Sequence, residues 1–240
     1  MFFSPYNYCP FYRYYKNMDS YKYDSMDIKY KQNNFINSKK TYNKAKINEQ
    51  ILSPDNFKIT YPFVENIRND SLKKIINNKI INEVSNLFKE QVLLPEKVNF
   101  IEVIEFYEMP LNKRGLLSIL FGIYTYTGGA HGYTAYSSIT IDLDTGKVYN
   151  FNDLFTTRIN YKPILEDKVR EYIKQNDIPI LEEYKGIDKN QQFYLTPTEL
   201  VIYYQVYTYT PYAYGLFKIP IPYKDILNLL GPASPIQKLL

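Results

Sequence analysis

The chain has 240 residues, of which 45% are hydrophobic and 22% are charged, so it can bury a sizeable core. Its net charge of +4 at pH 7 comes from Lys and Arg scattered along the chain, which excludes the dense positive field of a typical nucleic-acid-binding protein. The single cysteine, Cys9, excludes an intramolecular disulfide.

Residues 1–48 are predicted to form a flexible arm that is rich in Tyr, Asn and Lys. Aliphatic residues are sparse there, so the segment cannot bury enough apolar surface to offset its ordering entropy. The chain does not begin with a basic stretch and an apolar run, as a signal peptide does, and no apolar run has the length of a membrane helix. We therefore expect cytoplasmic synthesis without membrane insertion. The tyrosine-rich composition of the arm favours association with a spore or with the cell envelope.

The next predicted unit covers residues 49–148. Apolar residues alternate over 57–63, which predicts a strand, and Pro62 predicts that this strand lies at a sheet edge or ends there. Asn69 is a predicted cap of an amphipathic helix that ends before Pro95. A meander of strands follows, over residues 98–106, 116–127, 133–143 and 148–151.

A second predicted unit covers residues 149–240. It contains an amphipathic helix over about 160–175 and strands that begin near 193, 200 and 216. A short helix over 223–230 is predicted to end at Gly231-Pro232. The pattern predicts an α+β fold: antiparallel sheets with two longer amphipathic helices and a short C-terminal helix, in two packed subdomains.

Residues that could carry catalysis are few. His131 is the only histidine, and the chain has no nucleophile elbow, phosphate loop or dinucleotide fingerprint. The segment Asp142-Leu143-Asp144-Thr145-Gly146 resembles the start of a calcium loop but lacks the third oxygen ligand and the closing Glu, so we predict a β-turn. We therefore predict no catalytic residue, no metal site and no cofactor.

Two segments are candidates for ligand contact. Residues 126–132 contain Gly-Gly, which allows either a strand-connecting bend or the close approach of another chain. Residues 203–214 contain six tyrosines, which cannot all be buried with their hydroxyls satisfied, and exposed Tyr suits contacts with proteins and sugars. The candidate ligand-binding residues are Tyr126, Gly128, Gly129, His131, Tyr207, Tyr209, Tyr212 and Tyr214.

Four stretches carry a family resemblance. They are Ile59 to Pro62 with the following Ile75-Ile76-Asn77, Leu117 to Phe121 with Thr127 to Gly132, Ile141 to Lys147 with Leu154-Phe155, and Phe193 to Thr196 through Tyr212 to Gly215 and Tyr223. Over about residues 50–230 the chain resembles the paired domains DUF4163 and DUF3298, with 49–148 similar to the first and 149–240 similar to the second. Such domains form the extracellular region of lysozyme-sensing anti-sigma factors and precede the catalytic domain of some peptidoglycan deacetylases.

The resemblance implies a binding role, with a cell-wall glycan or a lysozyme-like protein as the partner. The chain lacks the sigma-binding segment and membrane helix of the anti-sigma factors, and it lacks the catalytic domain of the deacetylases. We therefore expect a non-enzymatic binding module. The alternative is a hydrolase that acts on cell-wall material through His131 and a carboxylate.

Overall fold

The computed structural model describes residues 44–95 and 98–240. Eight strands and two long helices account for most of the regular structure within these ranges. In chain order they are β1 (Ile47–Leu52), β2 (Phe57–Val64), α1 (Asp70–Phe88), β3 (Glu102–Lys113), β4 (Leu116–Tyr126), β5 (Tyr133–Asp142), α2 (Tyr161–Gln175), β6 (Phe193–Leu195), β7 (Glu199–Tyr204) and β8 (Phe217–Pro222). The predicted α+β class with two long helices is confirmed.

The first sheet has five strands in the order β1-β2-β3-β4-β5. Its pairs are antiparallel except β2 and β3, which run parallel and pair only from Phe57 to Ile59. Strand β2 is therefore interior, contrary to the prediction drawn from Pro62. At Pro62 itself, however, the only paired neighbour is β1, opposite Glu49, so the proline lies beyond the part of β2 that β3 contacts.

The second sheet has three antiparallel strands in the order β6-β7-β8, and it packs against one face of the first. Side chains alternate along β4, so Ile119 and Phe121 face α1 while Leu120 faces the second sheet. Strand β7 alternates in the same way: Tyr203 faces the first sheet, and Ile202 belongs to the cluster that includes α2. The layers are therefore α1, the five-stranded sheet, the three-stranded sheet and α2.

Local signals set the helix boundaries. The side chain of Asn69 accepts a hydrogen bond from the backbone N–H of Leu72 at 3.0 Å, so the predicted cap begins α1. The helix continues into a π-helical turn, Lys89–Leu93, before Pro95. The predicted short C-terminal helix is instead two 3-10 turns, Tyr223–Asp225 and Leu227–Leu229, because Ile226 between them has φ −130° and leaves the helical region.

The end of the predicted arm is folded. Residues 1–43 lie outside the described residues, but Ala45 is buried and exchanges two hydrogen bonds with the side chain of Asn112, at 2.8 and 2.9 Å. Ile47 begins β1, which the sequence pattern did not predict. Residues 44–48 were assigned to the arm because aliphatic side chains are sparse there, yet backbone pairing with β2 and the Asn112 amide hold them in place.

The C-terminal end of the chain is fastened to the first sheet. Asp142 is 3% exposed and accepts a hydrogen bond from Lys238 Nζ at 2.7 Å and from the hydroxyl of Tyr149 at 3.0 Å. Its other carboxylate oxygen accepts two backbone N–H groups of the 142–146 turn. A turn is present where one was predicted, but its closing bond, from the Gly146 N–H to the Asp142 carbonyl at 2.8 Å, spans one residue more than that of a β-turn. Arg114 donates to the carbonyl of Lys238 at 3.0 Å. These contacts form a latch between the β3–β4 turn, the end of β5 and the last residues of the chain.

We predict that Asp142→Asn lowers the free energy of unfolding by about 2 kcal/mol, because it removes a charge-assisted hydrogen bond and leaves Lys238 without its counter-ion. Burial raises the pKa of Asp142, but Lys238, the turn N–H groups and Tyr149 together lower it below 3.8. The carboxylate therefore stabilises the fold at neutral pH, and this contribution is lost as the pH falls below about 4. Urea unfolding at pH 7 and pH 3 measures both effects. Asp144→Asn, at the more exposed carboxylate 3.5 Å from Lys238, is the matched control and should change stability much less.

Glu105 lies in the core on the α1 side of the sheet. It is opposite Ile59 on β2 and Ile123 on β4, it is fully buried, and neither carboxylate oxygen has a hydrogen-bond partner among the described residues. Burial raises its pKa to about 8. The side chain is therefore a neutral acid at pH 7, since the charged form would be unpaired in an apolar layer.

Glu105→Gln tests the protonation state of this side chain. An acid whose pKa rises on folding destabilises the folded state as the pH increases from the pKa of the unfolded chain, 4.5, to that of the folded chain, about 8. Across this range the free energy of unfolding falls by about 1.4 kcal/mol per pH unit. The variant cannot ionise, so its advantage over the wild type should grow from pH 5 to pH 8 in urea unfolding. Glu102→Gln, at an exposed position of the same strand, is the control. A constant difference between Glu105→Gln and wild type across this range would contradict a buried neutral acid.

Candidate functional site

The two candidate segments meet in the folded chain. The His131 ring stacks on Tyr212 with centroids 4.1 Å apart and an angle of 19° between the planes. Tyr212 also stacks on Tyr207, with ring centroids 5.6 Å apart and an angle of 29° between the planes. Three rings from segments about 75 residues apart thus form one stack, which neither segment could form alone.

The glycines of the first segment allow its bend. Gly128 and Gly129 have φ of +99° and +102°, a backbone conformation that residues with a Cβ atom rarely adopt. The bend is closed by a hydrogen bond from the Tyr126 hydroxyl to the carbonyl of Gly129, at 2.9 Å. His131 lies after the bend, exposed, with Nδ1 2.9 Å from the carbonyl of Gly132. The bend therefore presents the imidazole to Tyr212 and leaves the glycine backbone open to solvent.

A strained turn places Tyr207. The N–H of Thr208 bonds to the carbonyl of Gln205 at 3.0 Å, and Tyr207 within this turn has φ of +68°. A left-handed backbone is unfavourable for a bulky residue, by on the order of 1–3 kcal/mol, and would suit glycine. Glycine would relieve this strain but would remove the ring that stacks on Tyr212, so the stack requires a strained residue at this position.

Gln205 joins the turn to the first sheet. Its side-chain amide accepts the N–H of Tyr136 at 2.9 Å and donates to the carbonyl of Tyr136 at 2.7 Å. Strand β5 is the last strand of its sheet, so these two bonds occupy its open edge as a neighbouring strand would. The position of the turn relative to β5 is thereby fixed. Burial of the Tyr136 phenol, with Glu108 and Tyr212 nearby, raises its pKa.

Further aromatic side chains lie on the same side of the first sheet. Phe106 covers Gly122 on the neighbouring strand and meets Tyr136 edge to face at 6.2 Å. Tyr124 lies over Gly132, whose hydrogen leaves room for the ring, since a Cβ there would be 2.4 Å from it. We call this surface the aromatic face; its residues are Phe106, Tyr124, Tyr126, His131, Tyr136, Tyr207 and Tyr212.

Two candidate residues lie away from the aromatic face. Tyr209 is 5% exposed and packs edge to face on Tyr184 and Tyr204, so it belongs to the core beneath α2 and cannot offer a contact surface. Tyr214 is 38% exposed but lies against Phe217 on the α2 side of the second sheet. The tyrosines of this segment therefore divide between the core, the aromatic face and the opposite side of the sheet.

Acid–base and metal chemistry require particular side chains to lie close together. In residues 44–95 and 98–240, no carboxylate lies within 4.0 Å of a ring nitrogen of His131, and no group of three His, Cys, Asp or Glu side chains could hold a metal ion. Among the helices that the structure describes, none has the length and apolar composition needed to cross a bilayer.

Comparison with known proteins finds two family models that match separate parts of the chain. Residues 152–224 match the family model described as a protein of unknown function, DUF3298. Residues 46–134 match the model described as Deacetylase PdaC. The predicted resemblance to DUF3298 and to deacetylase-associated domains is therefore confirmed, and no curated protein matches significantly.

Solved structures of DUF3298 proteins share the fold. A family member from Bacteroides fragilis NCTC 9343 superimposes with a TM-score of 0.60 at 19% identity, covering 81% of this chain and 97% of that one. A family protein from Pseudomonas aeruginosa PAO1 gives a TM-score of 0.54 at 15% identity, covering 79% and 94%. At this level of identity the likeness extends to the fold alone.

We predict that Gln205→Ala loosens the aromatic face. The N–H and carbonyl of Tyr136 would lose their partners, at a cost of about 1–2 kcal/mol, and the turn that carries Tyr207 would lose its anchor. Hydrogen exchange of the Tyr136 amide should become faster relative to amides in the middle of β4. Gln175→Ala, which removes an exposed amide at the end of α2, is the control and should leave that exchange rate unchanged. Equal protection of Tyr136 in both variants would show that Gln205 does not anchor the turn.

Proposed function

We propose that this chain, which carries a DUF3298 domain over residues 152–224, is a non-enzymatic module that binds a cell-wall glycan through its aromatic face. The stack of His131, Tyr212 and Tyr207 is the observation that supports this proposal most. It joins the tyrosine-rich segment to the glycine bend and extends the ring-lined surface of β3, β4 and β5.

Tyrosine suits sugars because its ring packs against the apolar C–H side of a pyranose while its hydroxyl hydrogen-bonds. The rings of the aromatic face are held by stacking and by Gly122 and Gly132, so few rotamers remain to be lost on binding. The exposed backbone at Gly128 and Gly129 has no side chain that would keep a polymer away.

The charges around the aromatic face favour a ligand of low charge density. Glu108 faces Lys218 across its border at 3.6 Å, and both side chains are substantially exposed. One anion and one cation of this kind compensate each other and can also hydrogen-bond to hydroxyl groups. A nucleic acid would need a run of cations, which this border lacks among the described residues.

The match of residues 46–134 to the model named Deacetylase PdaC supports a place in the cell envelope. The name describes that family, and we transfer only the association with wall material. Binding is favoured over hydrolysis because His131 lacks a nearby carboxylate within the described residues, and its Nδ1 lies 2.9 Å from a backbone carbonyl. A lysozyme-like protein would contact the same surface and is an alternative ligand.

Cosedimentation of the protein with purified, protein-free peptidoglycan tests the proposal. Tyr212→Ala should raise the Kd about tenfold, which corresponds to about 1.4 kcal/mol, because it removes the central ring of the stack. Tyr212→Phe keeps the ring and should retain most of the affinity. Tyr61→Ala removes a half-buried tyrosine from the α1 side of the sheet and is the matched control.

Four results would contradict the proposal. The wild type could fail to sediment with peptidoglycan, or Tyr212→Ala could bind as the wild type does. Release of soluble fragments that His131→Ala abolishes would instead establish the hydrolase. Binding to lysozyme without binding to peptidoglycan would assign the aromatic face to a protein partner.

A further inference from the structure

A cavity of about 480 Å³ lies at the end of the first sheet where β2 and β3 begin and β4 ends. The turn between β1 and β2 forms one wall, and Tyr126 at the end of β4 forms another. This volume is within the usual range for small-molecule sites. Tyr126 also bonds to Gly129, so the cavity adjoins the glycine bend, and none of its lining residues belongs to the stack of His131, Tyr212 and Tyr207.

The cavity is lined by side chains of opposite charge that do not neutralise each other. Lys58 contributes an ammonium, and Asp55 and Glu102 contribute carboxylates. Within the described residues the Lys58 ammonium lies more than 4.0 Å from both carboxylates, and none of the three side chains forms an ion pair or a hydrogen bond. Both signs of charge are therefore available to a bound molecule.

An apolar wall accompanies these charges. Ile101, which is 53% exposed, lines the cavity together with Ile104 and Phe57. Ser53 and Asn56 add uncharged hydrogen-bonding groups on the turn. A molecule that matches this lining carries both an amine and a carboxylate on a small aliphatic body.

We propose that this cavity binds a short zwitterionic peptide, with its ammonium group at Asp55 and Glu102 and its carboxylate at Lys58. A simple anion would gain Lys58 but meet two carboxylates, and a simple cation would meet the repulsion of Lys58. Only a ligand with both charges satisfies all three side chains. This site goes beyond the glycan-binding role, and its charged groups are separate from the aromatic stack.

Titration of the full chain with alanyl-alanine, followed by NMR or calorimetry, tests the cavity. N-acetylation or C-terminal amidation of the dipeptide removes one charge and should weaken binding about three- to fivefold, the effect of one exposed ion pair. Lys58→Gln should weaken binding of the free dipeptide by a similar factor and make it indifferent to amidation. Glu102→Gln should weaken it similarly and reduce the effect of N-acetylation.

Lys79→Gln, which removes one exposed lysine from α1, is the matched control and should leave all affinities unchanged. The D,D and L,L stereoisomers distinguish wall-derived from protein-derived peptides, and tighter binding of either one supports the proposal. Absence of binding at millimolar concentrations, or equal affinities of the free and capped dipeptides, would overturn it. Tyr212→Ala should bind the dipeptide as the wild type does, so failure of the glycan proposal and failure of this one give different results.

Discussion

Strand β4 must be covered on both faces, because every side chain from Leu116 to Ile123 is buried except for the glycine at 122, which has none. One face is covered by α1 and the other by the three-stranded sheet, so the two halves of the chain depend on the same strand for their cores. Ser118 shows how close the second contact is: its hydroxyl pairs with Thr140 at 2.8 Å and accepts the backbone N–H of Leu195 at 3.1 Å. A polar pair at this place is tolerated because each hydroxyl has a hydrogen-bond partner, and Ser118 has a second partner in the facing layer.

The aromatic face lies where the second sheet no longer covers β4 and β5. The second sheet covers β4 around Leu120, while the last part of β4 and the first part of β5 extend beyond it. There the side chains that would otherwise pack between sheets are tyrosines, half-buried and accompanied by the loops that carry His131 and Tyr212. The sheet thus supplies a rigid base, and the glycines at 122 and 132 make space for rings that a methyl group would displace. A ligand surface of this kind needs little rearrangement on binding.

Much of the fold was predictable because its signals are local. The Asn69 cap, the predicted strands over 116–127 and 133–143 and the turn at Asp142 to Gly146 depend on residues within a few positions of one another. The stack was not predictable, since it depends on how two layers meet: Gln205 bonds to Tyr136 over a separation of 69 residues, and nothing near either residue encodes that pairing. Tyr209 and Tyr212 belong to the same tyrosine-rich segment, yet one is core and the other surface, because the backbone beyond Tyr204 leaves the strand and periodicity no longer assigns a side. Strand β1 lacked a sequence signal because it is held largely by backbone pairing with β2, while none of its side chains is fully buried.

The latch at Lys238 also bears on the order in which the chain folds. Arg114 and Lys238 are separated by 124 positions, so their hydrogen bond closes a loop of more than half the chain and has a high entropic cost until the intervening structure exists. The hairpin of β4 and β5, whose partners are near in sequence, can form during synthesis without it. Asp142, which also accepts the Tyr149 hydroxyl, gains its charged partner only after Lys238, 96 positions further along the chain, has been synthesised. Completion of the latch therefore requires synthesis to have passed Lys238, and chains that stop before this residue should be more sensitive to proteolysis at the β3–β4 turn than chains that include it.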